Sequence, residues 1–254
     1  MRESKDLVFP ACPGRMMLRM LRRLAILALL FSTCAFAKDK AKVQKQTIEF
    51  GGAKRTYYLF VPDKITAPAP LLLLLHGSGR NGLIMVDQWK DLAAKEGIVL
   101  LAPDARVPAR WGDADGPPFL HAIIDAVRAT QPIDGGRLYI FGHSGGAVMG
   151  LLISMMDSEY FAATAVHAGA IPPEARQFPD LATRKIPIKI FVGTEDPLFP
   201  PSMVRATRDL LVEKCFPVEL TEIPHHTHNY YNTAATTNRA AWEFLQKFTL
   251  PAPH

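Results

Sequence analysis

Ser144 lies in Gly142-His143-Ser144-Gly145-Gly146, a G-x-S-x-G pattern. It follows the apolar run Leu138–Phe141, which reads as a strand, and precedes Ala147–Met156, which reads as a buried helix. In that setting the glycines have a steric purpose. The chain turns so sharply that the serine is strained and its neighbours have no room for side chains. The hydroxyl then projects from the sheet edge above a helix N-terminus, whose N–H groups and dipole suit a developing oxyanion. The chemistry this allows is nucleophilic attack on an acyl carbon.

A serine hydroxyl needs a base at neutral pH, and the base needs an orienting acid. After such an elbow the acid comes next along the chain and the histidine last. Asp196, just past the predicted strand Ile188–Val192, stands where the acid belongs; its neighbour Glu195 is the alternative. Asp196 also precedes Pro197, so a plain turn residue is the competing reading. The base falls within Pro224-His225-His226-Thr227-His228, after the predicted strand Val218–Glu222. Spacing leaves three histidines open. His226 and His228 could also ligate a metal from an extended segment, but no carboxylate or cysteine cluster nearby completes a shell, and no metal or cofactor is expected.

His76-Gly77-Ser78-Gly79 follows the apolar run Leu71–Leu75. The backbone N–H of Ser78, with that of Gly145, is the expected pair of oxyanion donors, and His76 reads as structural. Three aromatic residues are candidate pocket walls: Trp111 in the irregular Arg106–Pro118 stretch, Phe199 beside the acid, and Tyr230, which is followed by Tyr231, beyond the base. Trp89 and Trp242 fall on apolar helical faces and read as core. Cys215 reads as a small core residue rather than a nucleophile.

These residues require a framework. Thr47–Phe50 and Arg55–Val61 flank Gly51-Gly52, a hairpin signal. Beyond it, strand-like and helical runs alternate: Leu71–Leu75, Val86–Glu96, Ile98–Ala102, Phe119–Ala129, Leu138–Phe141, Ala147–Met156, Phe161–His167, Ile188–Val192, Ser202–Cys215, Val218–Glu222 and Thr237–Phe248. Such alternation predicts an α/β fold with a mostly parallel sheet and helices on both faces. No boundary divides residues 38–254, so they are expected to form one domain.

The chain has 254 residues, 48% hydrophobic and 21% charged, an ordinary globular balance. Its net charge of +5 is concentrated at the start, where residues 1–37 hold six basic and two acidic residues. The remainder is near neutral, which argues against a nucleic-acid partner. Arg19, Arg22 and Arg23, the apolar Leu24–Phe31 and the small-x-small Ala35-Phe36-Ala37 predict an export signal cleaved after Ala37, with Met16 or Met17 as candidate starts. The apolar run is shorter than the roughly 20 residues a membrane span needs, so no stable span is expected after cleavage. Cys34 follows a poor lipobox. With Cys12 and Cys34 removed, Cys215 alone remains and no internal disulfide can form.

The chain resembles the α/β-hydrolases, and within them the secreted esterases grouped with polyhydroxybutyrate depolymerases and feruloyl esterases. The resemblance spans roughly 47–248 and rests on five segments: His76-Gly77-Ser78-Gly79, Ala102-Pro103-Asp104, the serine elbow, Gly193-Thr194-Glu195-Asp196-Pro197, and the histidine segment. It implies the α/β-hydrolase fold and a cofactor-free serine esterase acting on a small-molecule or polymeric ester. Its triad would be Ser144, Asp196 and His226, because the group's Gly-His pair maps onto His225-His226. This chain departs from the group at that pair, and also at His143 and Gly145 around the serine. A turn at Thr227–Asn229 would carry His228 away, which again favours His226; a loop that stays extended would keep His228 in reach. Export places the enzyme in the periplasm or medium. Two other readings share these residues: a peptidase of the prolyl-oligopeptidase type, whose propeller has no counterpart here, and an inactive hydrolase fold used for binding.

Overall fold

The computed structural model describes residues 41–65 and 68–250. The predicted signal segment and its cleavage site lie outside the described residues.

Eight strands form one sheet. A hairpin, β1 (Gln44–Phe50) and β2 (Ala53–Phe60), turns at Gly51-Gly52, both with positive φ. The other strands are β3 (Ala69–Leu75), β4 (Val99–Pro103), β5 (Ile133–His143), β6 (Ala163–His167), β7 (Ile188–Gly193) and β8 (Val218–Ile223). Their order is β1-β2-β4-β3-β5-β6-β7-β8, and every pairing beyond β2–β4 is parallel. This is the predicted α/β-hydrolase sheet with its N-terminal hairpin.

Strand sequence follows from position in the sheet. The strand β3 lies centrally, with every residue from Ala69 to Leu75 buried, hence its unbroken run of leucines. Alternate leucines feed opposite cores. Leu72 and Leu74 join Trp89, Phe141 and Trp242 on one face, while Leu71, Leu73 and Leu75 join Phe119, Ile123 and Phe161 on the other. Trp89 and Trp242 are thus core residues, as expected.

Among the described residues, five α-helices cover the two faces: α1 (Gly82–Glu96), α2 (Pro117–Arg128), α3 (Gly145–Met156), α4 (Pro201–Glu213) and α5 (Ala234–Leu245). Asn81 caps α1 by accepting the Ile84 N–H, and Asp104 accepts that of Gly82. Cys215 departs from expectation. After α4 ends, Cys215 takes φ 65° and is exposed, while Phe216 turns into the core. The left-handed residue reverses the chain and throws its own side chain outward.

Chain order reverses about β3, which has β4 on one side and β5 on the other. The loops after β3 and β5 therefore open a crevice at the carboxyl edge, the usual ligand site in such sheets.

Candidate active site

The elbow is built as its sequence demands. Ser144 has φ 56° and ψ −120°, and its N–H donates to His167 O. A Cβ on Gly146 would lie 2.2 Å from Leu75 O, and one on Gly142 the same distance from Gly146 O. Strand, helix and the β3 loop are thus packed backbone to backbone. The strained serine is held because nothing around it can relax.

Two loops meet Ser144 from the far side. Asp196 follows β7, with its carboxylate fully buried. Its Oδ1 accepts the N–H groups of Leu198 and Phe199, both at 2.9 Å. Its Oδ2 accepts from His228 Nδ1 at 2.9 Å, and Ser144 Oγ donates to His228 Nε2, also at 2.9 Å. Because a carboxylate only accepts, the Nδ1 proton is fixed on His228 and Nε2 is left free to take the serine proton.

His228, not His226, therefore completes the constellation. The loops after β7 and β8 are clamped together: Thr194 N–H donates to Ile223 O, and Glu195 N–H to His226 O. The clamp is tight enough that a Cβ on Gly193 would lie 2.0 Å from His226 O. His225 takes φ 55° in the resulting turn. The positive-φ residue is thus His225, ahead of the Thr227–Asn229 turn that was expected to carry His228 away. The turn sends the His226 ring inward to His167 Nε2 (3.1 Å) and Thr233 Oγ1 (3.3 Å). It leaves His225 in solvent beside Glu195. Two residues further on, His228 arrives over Ser144. Glu195, the alternative acid, does not touch His228; it pairs with His225 at the surface.

Behind His228 lies a histidine chain that sequence reasoning missed. His143 Nδ1 lies 3.3 Å from His167 Nδ1, and His167 continues to His226. Burial, followed by the charge of neighbouring imidazoles, pushes His143 down to about 4 and His167 to about 2. His226 is lowered too, chiefly by burial. Lowered in this way, all three are neutral at pH 7, and each contact pairs one ring N–H with one free ring nitrogen. The His143 ring packs 5.1 Å from that of His228, and Phe199 stacks on His228 with rings 11° apart. The His228 ring thus contacts two aromatic rings, one stacked and one tilted. His143 and His226 were visible in the sequence, but nothing local tied either to His167 on a different strand.

Ser78 and Gly145 stand together as expected: a Cβ on Gly145 would come 2.6 Å from Ser78 Oγ and 3.5 Å from Ser78 N. Among the described residues, neither of their N–H groups has a hydrogen-bond acceptor. His76 is structural, with Nδ1–H donating to Gly77 O and Nε2 accepting from Ala105 N–H.

The crevice at Ser144 has a volume of about 510 Å³ and is bordered by Arg80, His143, Leu198, His228, Asn229 and Tyr231. A mainly apolar groove of about 450 Å³ is bordered by Val148, Ile171, Phe199, Met203 and Leu210. Of the three expected pocket walls, Phe199 borders this groove, whereas Trp111 and Tyr230 border neither the groove nor the crevice. Trp111 Nε1–H donates to His76 O at 2.8 Å and its ring packs on His76, so it braces the β3 loop from behind. Tyr230 is fully buried with its hydroxyl on Asn238. The exposed edge at that point belongs to Tyr231. Among the described residues, no cluster of three or more His, Cys, Asp or Glu is placed to hold a metal.

Comparison with known proteins follows this geometry. The profile of the Phospholipase/Carboxylesterase family matches residues 115–248, a segment that contains Ser144, Asp196 and His228. The chain belongs to this family. A curated relative from Nocardia uniformis subsp. tsuyamanensis, named "Putative esterase NocK", is 30% identical over 176 residues. That alignment covers 63% of this chain and 50% of the relative, so the chain spans about half the relative's length. An S-formylglutathione hydrolase from Agrobacterium tumefaciens has the same fold, with a TM-score of 0.64 at 18% identity, over 82% of this chain and 95% of that one. An acylaminoacyl peptidase from Pyrococcus horikoshii also superposes, with a TM-score of 0.64 at 16% identity, over 86% of this chain and 44% of that one. At such identities these structures share the fold, and the fold serves both esterases and peptidases.

Proposed function

We propose that the protein is a carboxylic ester hydrolase working through a covalent acyl-enzyme on Ser144. The observation that carries this reading is the unbroken path from Ser144 Oγ through His228 to Asp196, two contacts of 2.9 Å each. His228 Nε2 takes the hydroxyl proton as Ser144 Oγ attacks the ester carbonyl. The N–H groups of Ser78 and Gly145 receive the oxyanion, and the carboxylate of Asp196 stabilises the imidazolium. The imidazolium then protonates the departing alkoxide. Water, deprotonated by the same nitrogen, releases the acid and restores the serine. The apolar groove beside Phe199 suits an acyl or aryl group, and the family supports an ester as the bond cleaved.

We further propose that residues 1–37 are an export signal and that the hydrolase domain begins at Lys38. N-terminal sequencing of exported protein tests this directly. A chain starting at Lys38 is expected, and lipidated Cys34 or an intact Leu24–Phe31 contradicts it.

The activity itself is tested by turnover of 4-nitrophenyl acetate and butyrate, beside an acylaminoacyl 4-nitroanilide. Ester turnover lost in Ser144→Ala is the expected result. Faster cleavage of the anilide than of the esters would move the reading to a peptidase.

A further inference from the structure

Two residues beyond the oxyanion donor Ser78 stands Arg80, exposed at the rim of the Ser144 crevice. It forms no ion pair among the described residues; its guanidinium lies 5.8 Å from the centre of the Tyr231 ring. Arg80 also borders a second cleft of about 660 Å³. Lys54 of β2 and Arg106 of the loop after β4 face this cleft as well, and neither has an ion-pair partner among the described residues. Arg55 borders it too, but is committed to Asp115 at 2.5 Å with both groups buried. That buried pair has a local use. Asp115 also accepts the Arg106 N–H, which ties the Arg106 backbone to the β2 strand. The one acidic group lining the cleft is Asp104, whose Oδ1 accepts the N–H of Gly82, so three unpaired cations stand against a single carboxylate. In the Ser144 crevice Glu195 faces Arg80's lobe but is engaged by His225.

The chain beyond residue 37 is nearly neutral, so three unpaired cations around one cleft are a local concentration and not a general property of the surface. Arg80 is the one residue that borders both the crevice at Ser144 and the second cleft. We infer that this cleft is a substrate subsite for an anionic group, and that the preferred substrates are esters bearing a carboxylate or phosphate several bonds from the scissile carbonyl. The inference rests on the esterase reading. It assigns Arg80 as the specificity residue, with Lys54 and Arg106 raising the local potential. A planar guanidinium suits either oxyanion, since it can present two N–H groups to one carboxylate or phosphate.

The test uses two matched pairs of esters on the exported form of the protein. In one the charge lies on the acyl side: 4-nitrophenyl hemiglutarate against 4-nitrophenyl valerate. In the other it lies on the alcohol side: 4-butyryloxybenzoate against its methyl ester. In at least one pair kcat/KM should favour the charged member. That ratio should fall about tenfold in Arg80→Gln and further in Arg80→Glu. A smaller fall is expected in the Lys54→Gln/Arg106→Gln double variant. Raising NaCl from about 0.05 M to about 0.5 M should shrink the wild-type ratio, because exposed charges are screened. A ratio at or below one in both pairs overturns the inference, as does a preference that survives Arg80→Glu. Neutral esters turned over without charge preference would leave the esterase reading standing while removing this one. No turnover of any probe, with no phosphonate labelling of Ser144, would remove both.

Discussion

The two halves of the active site are held by different forces. Around Ser144 the constraint is backbone against backbone: Gly142 on Gly146 O, and Gly146 on Leu75 O, each with no space for a methyl group. Around His228 there is one such contact, Gly193 on His226 O. Beyond it the loop is placed by side chains: Asp196 on Nδ1, Phe199 stacked on the His228 ring, His143 tilted against it, and His226 anchored to His167. The turn at Ser144 therefore tolerates little change in shape, whereas the loop at His228 tolerates shape but depends on its partners.

Variants can break this contrast at several levels. The largest effect belongs to the reacting groups: Ser144→Ala and His228→Gln should each lower kcat by roughly 10⁴-fold or more with the fold intact. Steady-state ester turnover alongside circular dichroism measures it. Next comes backbone crowding. Gly146→Ala must displace Leu75 and His76 carbonyls in the sheet centre, and should cost about 3 kcal/mol or more of stability, read by denaturant unfolding.

Acid sensitivity comes third. His143, His167 and His226 are neutral in the fold with lowered pKa values, whereas in the unfolded chain each titrates near 6.5. Below that value the unfolded state binds more protons, so stability is complete above about pH 6.5 and is lost as pH falls toward about 4. Tm should drop on the order of 5–10 °C between pH 7 and pH 5. A His167→Gln variant should show a shallower drop. A Tm unchanged over that range would contradict buried neutral histidines.

The smallest effects sharpen the contrast. His226→Gln keeps the backbone clamp and loses only the anchor of the loop, so about a tenfold loss of kcat is expected. Gly145→Ala meets only the Ser78 hydroxyl, which can rotate away. It should cost activity severalfold at most, far less than Gly146→Ala one residue on. Equal damage from the two alanines would mean that the crowding argument is wrong.

The same contrast decides what could be read before the structure. Ser144, Ser78, Gly145 and the order of strands are written in local patterns: a glycine-flanked turn between apolar runs, and the leucines of β3. The place of Asp196 was legible because it lies just past the end of β7. Which histidine meets Ser144 was not, since the choice between His226 and His228 depends on a turn at His225. That turn is imposed by hydrogen bonds from the neighbouring strand's loop. Trp111 and Tyr230 failed as pocket walls for a related reason. Proximity in sequence to Asp196 and His228, or to a strand end, says nothing about which face of a loop is filled by His76 or Asn238. Cys215 misled because its apolar neighbours hid a left-handed residue.

The central claim is that His228 activates Ser144 for attack on an acyl group. It is tested most directly by the rate at which a fluorophosphonate ester modifies the protein, followed by peptide mass spectrometry in wild type, His226→Gln and His228→Gln. The account predicts a single adduct on Ser144 that forms readily in wild type and His226→Gln and is lost in folded His228→Gln. Labelling of His228→Gln at the wild-type rate, or an adduct on any residue other than Ser144, would contradict it.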